Sequence, residues 1–584
     1  MRPLKICALA LWFVFALAAA REAGAADIVV KRFDSGDGNN AVGVVEASED
    51  TEIDGPQAMT TDDNGDVYLL DQVNARIVSF DPKSPAAEPR IQSFPDQLQP
   101  TDLVVRKADI LVWDGSIHTL QARTGGDNTS YRGLEEVNTR AADDRAVVSA
   151  FAQMGSVDPG SSADLLDGRT RAVTPARSLP RPRQYVASRG AGTVVVDVNA
   201  GTDRSRAQIE VRRQADADGA PMARLGMRVR DRLGAIEFLE VDRNGRMYVF
   251  AENIPSSGGK AGAFVARYSP TGALEGVYEL PLINVPLSRR FVAVSVNGDV
   301  YFLRTQSGGV EILGVGFRPV EGDKVIDIRT AAAPPPAPVP AHGLITAVRP
   351  LTRQRVVETA FAFEQIQWLV SPSAYGSDPD TVCTGFNGRI RRPAYIQGKM
   401  GQQVRGIPYC WGCHGSLDLI RNRIEHGVLA GNICTHNDPR SDTTGVDCSA
   451  FVSAAWGLST HFTTVAIPSI TQPVTDTSDL RPGDAFNKPG SHVMLFLRFT
   501  PSHMAEVMES SPGGCPGRVC RNVYPLASLL ARGYQPVRFR ALVNDNGEGA
   551  EIPPAENAEA KAQKAAQPAA KAPRRERLSR PTDQ

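Results

Sequence analysis

Two kinds of structure are predicted in this 584-residue chain: a repetitive all-β region, then a separate domain that mixes helical and strand patterns. Three observations carry the prediction. Hairpin units with an Asn-Gly turn recur along residues 27–329. The run Ala331-Ala332-Ala333-Pro334-Pro335-Pro336-Ala337-Pro338-Val339-Pro340 then interrupts the pattern. Past the first few residues, every cysteine lies between Cys383 and Cys520.

The first hairpin unit is the clearest. Asp54 to Met59 leads into Asp62-Asp63-Asn64-Gly65-Asp66, and Val67-Tyr68-Leu69-Leu70 follows as a second strand. Asn-Gly between apolar runs is a strong hairpin signal, because both turn residues must accept positive φ. Arg76 to Phe80 adds a third strand. The pattern returns around Asn244-Gly245 and again around Asn297-Gly298, with a weaker copy from Asp102 to Leu120. The spacing leaves room for units of ~45 residues, a blade-like period. The repeats resemble the NHL or SMP-30 type of β-propeller, with about six blades. Glu135 to Met154 has helical spacing and reads as an insertion. The Asp62 to Asp66 turn is similar to a Ca²⁺ loop but lacks the downstream Glu, so no metal is assigned to it.

Composition narrows the function. A net charge of -1 gives no excess of basic residues to track phosphates, so no nucleic-acid partner is expected. Arg2 and Lys5 precede an apolar run from Ile6 to Ala20, and Ala23-Gly24-Ala25 has the form of a cleavage site, with Ala18-Ala19-Ala20 as a rival. Residues 1–25 therefore read as an export signal, too short to span a bilayer. After cleavage no stable membrane span is expected, and the protein is placed in the periplasm or outside the cell. Export favours disulfides. Removing Cys7 leaves an odd number of cysteines, so one thiol stays out of the bridges. Residues 330–347 form a semi-rigid linker. Residues 544–584, rich in Ala, Lys, Glu and Pro, are expected to be a disordered tail.

The segment 348–543 carries the chemistry. Arg353 to Val370 reads as an amphipathic helix. Cys448 begins a helical pattern after the turn Gly445-Val446-Asp447, where unpaired N–H groups and the helix dipole favour a thiolate. His492 opens an apolar strand, and the next strand carries Glu506 and Glu509. A thiol at a helix start with a His and a carboxylate on adjoining strands is a nucleophile–base–orienter set.

Four motifs occur in order: Gly406-Ile407-Pro408-Tyr409-Cys410-Trp411-Gly412, Asp447-Cys448-Ser449-Ala450-Phe451, Pro482-Gly483-Asp484 and His492-Val493. Together they resemble the NlpC-type bacterial cell-wall peptidases. The resemblance implies a papain-like α+β fold and hydrolysis of peptidoglycan stem peptides, typically between D-glutamate and diaminopimelate. By it, Cys448 attacks, His492 accepts the proton, and Glu509 takes the third place with Glu506 as rival. It also places Tyr409, Asp447 and Ser449 at the substrate. Three departures stand out. Ala450 replaces the usual Gly. The stretch between Gly412 and Asp447 is long and holds Cys413, His414, His426, Cys434 and His436. The spacing from His492 to the third polar residue is also long.

Other readings compete. Cys410-Trp411-Gly412-Cys413-His414 has the C-x-x-C-H form of haem attachment, and Cys410, Cys413, His414 and Cys434 could be read as a zinc set. Export makes disulfides the expected state, so no cofactor is assigned. Cys515 and Cys520 could close a short loop where that loop brings them into bonding geometry; Cys383, Cys410, Cys413 and Cys434 would make two further bridges, with their pairing open. A binding protein, whose propeller takes a protein or glycan ligand above a non-catalytic C-terminal domain, is one alternative. An amidase or esterase on another substrate is the other.

Overall fold

The computed structural model describes residues 25–543 except 48–51, 95–97, 99, 107–108, 115–116, 121–133, 137–150, 152–183, 215–218, 256–260, 283–287, 289, 321–324, 329–350, 377–390 and 435–441. The expected signal, linker and tail lie outside these residues, apart from Ala25. Among the described residues no helix is long and apolar enough to cross a membrane.

The N-terminal region is β-propeller-like. Five sheets follow one another, and their first strands are Ala58–Thr61, Asp102–Arg106, Gln184–Ser188, Arg232–Val241 and Val292–Val294. These first strands line a shared cavity of about 300 Å³. The last sheet is completed from the other end of the region: Ile28–Ser35 pairs antiparallel with Gly309–Gly314. That pairing ties the start of the region to its end. The repeat spacing predicted about six units, and five sheets stand among the described residues. Residues 137–183, apart from Phe151, fall between the second and third sheets and lie outside the described residues.

The recurring turns have one design. Asp62 accepts hydrogen bonds from the backbone N–H of Asn64 and Asp66, both at 2.9 Å. Asp242 does the same for Asn244 and Arg246, at 2.8 and 2.9 Å. Ser295 Oγ takes that part for Asn297 and Asp299. Only the glycines are left-handed, with φ of 93° at Gly65, 76° at Gly245 and 89° at Gly298. The Asn residues are not, which corrects the expectation of positive φ at both turn positions. Gly65 N–H bonds to Asp62 O and Asp62 N–H to Asp66 O, a type I turn followed by a glycine bulge.

The expected helix from Glu135 is corrected at its start. Leu134–Glu136 is a strand paired with Ile117–Leu120, because the open sheet edge offers those residues ladder hydrogen bonds. Apart from Phe151, the rest of that expected helix lies outside the described residues.

The C-terminal region begins with α1, Arg353–Gln365, capped by Thr352, whose hydroxyl accepts from Arg355 N–H. It ends before the expected Val370, because Gln367–Leu369 pairs as a strand with Gln403–Arg405. A six-stranded antiparallel sheet follows, made of β1 (Thr471–Pro473), β2 (Ala485–Lys488), β3 (His492–Phe499), β4 (Ala505–Ser511), β5 (Arg518–Tyr524) and β6 (Gln535–Phe539). Its order is β1-β6-β2-β3-β4-β5. Helix α2, Cys448–Ala455, packs on β3, β4 and α1. Helix α3, Leu526–Ala531, packs on the fourth propeller-like sheet. One apolar core runs across both regions, from Phe250, Tyr278 and Leu280 to Phe486, Met494 and Leu529.

Candidate active site

The site is assembled where two loops meet. Val446 N–H donates to Pro408 O and Cys410 N–H to Val446 O, both at 3.1 Å, so the Gly406–Gly412 motif lies alongside Gly445–Asp447. Gly445 permits this approach: a Cβ there would stand 2.3 Å from Pro408 O. Asp447 then caps α2, accepting from Ala450 N–H at 2.7 Å. Its second oxygen accepts from Gly412 N–H at 3.1 Å. The two motifs are thus tied twice, and Cys448 falls at the first helical position.

Cys448 is buried and stays outside any disulfide. Cys410 is bonded to Cys413 and Cys515 to Cys520, and Cys434 is also disulfide-bonded. The Cys410–Cys413 bond takes up both sulfurs that a haem attachment would use. Among the described residues no group of three or more His, Cys, Asp or Glu has the arrangement of a metal site.

His492 starts β3 and is hydrogen-bonded to Cys448. Its Nε2 lies 2.6 Å from Glu509 Oε2. The other Glu509 oxygen accepts from Asn522 Nδ2 at 2.6 Å and from the Tyr524 hydroxyl at 2.7 Å. Burial opposes a charged imidazole, but Cys448 and Glu509 outweigh it and hold His492 well above its ordinary value. Burial likewise opposes the Glu509 carboxylate, yet its bonds to His492, Asn522 and Tyr524 hold it below the usual carboxylate range. The arrangement favours the charged imidazole.

Glu506 is elsewhere. Residues three apart on a strand point to opposite faces. Glu506 meets Arg498 Nε at 2.5 Å and Arg521 Nη1 at 3.5 Å, and Arg521 also binds Glu364 of α1. The structure therefore brings Glu509, not Glu506, to His492.

Tyr409 is buried beside Val446, and its N–H donates to Gly517 O at 2.7 Å. Ser449 Oγ donates to Asp447 Oδ1 at 3.0 Å, so its oxygen accepts from His461 Nε2 at 2.8 Å. The His461 ring lies 5.5 Å from that of His414. His461, Asn522 and Tyr524 were not singled out in the sequence. Strand alternation from Arg518 would have placed Asn522 and Tyr524 on one face, but nothing local marks that face as the one toward His492. Glu52, Ile53, Asp54 and Gln57 of the N-terminal region also line a small cavity with His492 and Glu509. No sequence signal points to them.

No protein-family model matches the chain, and no curated protein matches it. Similar solved structures include hydrazine synthase of Kuenenia stuttgartiensis, 13% identical over 44% of this chain and 79% of that one, with a TM-score of 0.24. A streptogramin B lyase is 11% identical over 50% of this chain and 98% of its own, with a TM-score of 0.20. A DUF4221-family member from Bacteroides vulgatus is 9% identical over 51% of this chain and 99% of its own, with a TM-score of 0.26. Likeness at this level is too slight to carry a functional argument.

Proposed function

We propose that the chain is an exported cysteine endopeptidase of the NlpC type that hydrolyses peptidoglycan stem peptides, between D-glutamate and diaminopimelate. On this reading residues 348–543 form a papain-like α+β domain and the protein works in the periplasm or outside the cell. The observation that supports it best is the chain of contacts Cys448–His492–Glu509, in which the thiol at the start of α2 is hydrogen-bonded to an imidazole oriented by a buried carboxylate.

The chemistry follows from that pairing. The Cys448 thiolate attacks the scissile carbonyl carbon, and backbone N–H groups at the start of α2 stabilise the oxyanion. Protonated His492 gives its proton to the leaving amine as the C–N bond breaks, which leaves a thioester. Water then attacks the thioester, His492 takes the proton, and the acid product departs as the thiolate returns. Tyr409, Asp447 and Ser449 flank the nucleophile and hold the stem peptide.

The test is digestion of purified peptidoglycan with mass analysis of the products. Cys448→Ala should fall to background. His492→Ala should lose ~10²–10⁴-fold, the usual contribution of a positioned base. Cleavage that persists in Cys448→Ala would overturn the reading. Product masses also separate it from hydrolysis of another amide or an ester by the same thiol. A protein or glycan ligand of the N-terminal region would sit in the cavity between its first strands, where Arg189, Glu240 and Arg290 are among the lining residues.

A further inference from the structure

Glu52 belongs to the propeller-like region but binds the C-terminal one. Its Oε1 lies 2.6 Å from Lys488 Nζ and its Oε2 lies 2.5 Å from Arg532 Nη2. Ser491 Oγ is 3.5 Å from Oε1. Burial opposes the charge, but Arg532 and Lys488 hold the Glu52 carboxyl down to about 2, so it stays ionised across the physiological range.

The two cations share a platform. Lys488 and Arg532 each lie 5.8 Å from the centre of the Tyr534 ring. His492 meets the same ring edge-on at 6.5 Å. A carboxylate is therefore anchored one ring away from the candidate base. Ile53, Asp54 and Gln57 continue across His492, Glu509 and Ser511–Gly514, and leave a cavity of about 40 Å³. That holds a water or two and no peptide. Cys448 is 0% exposed and His492 is 6% exposed. A thiol that meets no solvent cannot meet a polymer, so the site must open before the proposed hydrolysis begins, and the segment from 52 to 57 borders it at His492 and Glu509.

Arg532 shows that Glu52 is an imperfect occupant. A guanidinium presents two parallel N–H arms to a carboxylate. Glu52 engages Nη2, while the buried Nη1 has no hydrogen-bond partner among the described residues. A carboxylate approaching along the fork would satisfy both arms.

We propose that Lys488, Arg532 and Tyr534 form a carboxylate-binding subsite beside His492, filled by Glu52 as an internal stand-in for an acidic group of the substrate. This deepens the endopeptidase reading and rests on it for the identity of the peptide. The carboxylate of an incoming peptide displaces Glu52, lifts the segment from 52 to 57 and uncovers Cys448. An amidated peptide does neither.

The test uses the full chain. On a Cys448→Ala background, calorimetry compares stem peptides carrying a free or an amidated carboxyl on D-glutamate, with N-acetylglutamate and its diamide as small probes. Glu52→Gln should tighten binding of the free acids by about tenfold or more, as expected for a charge-assisted fork, and leave the amides unchanged. Adding Arg532→Met should remove the gain. A second readout needs no substitution: N-acetylglutamate should speed iodoacetamide labelling of Cys448 in the unaltered protein several-fold, and its diamide should not. Equal binding of acid and amide by Glu52→Gln, or equal labelling with both probes, overturns the subsite. If cleavage of peptidoglycan persists in that case, the endopeptidase reading stands without it. If N-acetylglutamate is discriminated but stem peptides do not bind, the subsite stands and the peptidoglycan reading falls.

Discussion

His492 is the residue on which the site turns, because it is held as a cation by Cys448 on one side and Glu509 on the other. Its folded value is raised above the ordinary 6.5, so the charged imidazole is fully formed below 6.5 and is lost as pH rises through the higher folded value. The alkaline limb of activity should therefore lie above neutrality. Glu509→Gln keeps the shape and removes the charge, so that limb should move down and kcat/KM should fall by about 10²-fold. Glu506→Gln should leave both nearly unchanged, since Glu506 serves Arg498 and Arg521. pH profiles of kcat/KM for the two variants check this directly, and equal losses would count against Glu509. Cys448 and His492 were legible because a thiol in a turn-to-helix motif and a His at a strand start are local signals. The choice between the two glutamates was not, since it depends on which strand face meets His492. Glu52 was wholly hidden, because its partners Lys488 and Arg532 lie in the other half of the chain.

At the scale of elements, α2 does two jobs through one residue. Asp447 caps the helix at Ala450 and joins it to Gly412, Ser449 and His461. Asp447→Ala should cost about 1–2 kcal/mol through the lost cap alone. It should also loosen the placement of Cys448, so activity should fall further than the loss of stability explains. Asp447→Asn, which keeps an acceptor, should recover most of the melting temperature but less of the rate; thermal denaturation and kinetics on the same preparations separate the two effects. The elements read from sequence succeeded where a turn had its own chemistry. The Asn-Gly hairpins at Gly65, Gly245 and Gly298 are present, although Asp62, Asp242 and Ser295 supply the hydrogen bonds that shape them. The sequence reading failed where tertiary pairing overrode local preference, as at Leu134–Glu136 and Gln367–Leu369.

At the scale of the molecule, the Pro/Ala run suggests two separable domains, whereas the core joins them. Leu529 of α3 is fully buried in the cluster that also holds Phe250 and Leu280. Across the same contact, the Glu252 carboxylate accepts from Ala235 N–H at 2.8 Å and from Ala527 N–H at 2.6 Å. Ile236 N–H donates to Ser502 O, and Arg232 reaches Asp476 and Thr477. Linker composition reports the chain path, but it says nothing about the surfaces that meet on either side. Heating should therefore melt both regions in one calorimetric transition. Leu529→Ala should destabilise that whole transition by ~2–5 kcal/mol, the usual cost of truncating a buried leucine. Two separate transitions, with Leu529→Ala lowering one alone, would contradict the shared core. The contact should also respond to pH. Burial pushes Glu252 up to about 7 from the ordinary 4.5, against the pull of the backbone donors. Its contribution is complete below 4.5 and is lost as pH rises through about 7. The melting temperature should fall across that interval, and Glu252→Gln, which no longer titrates there, should flatten the fall.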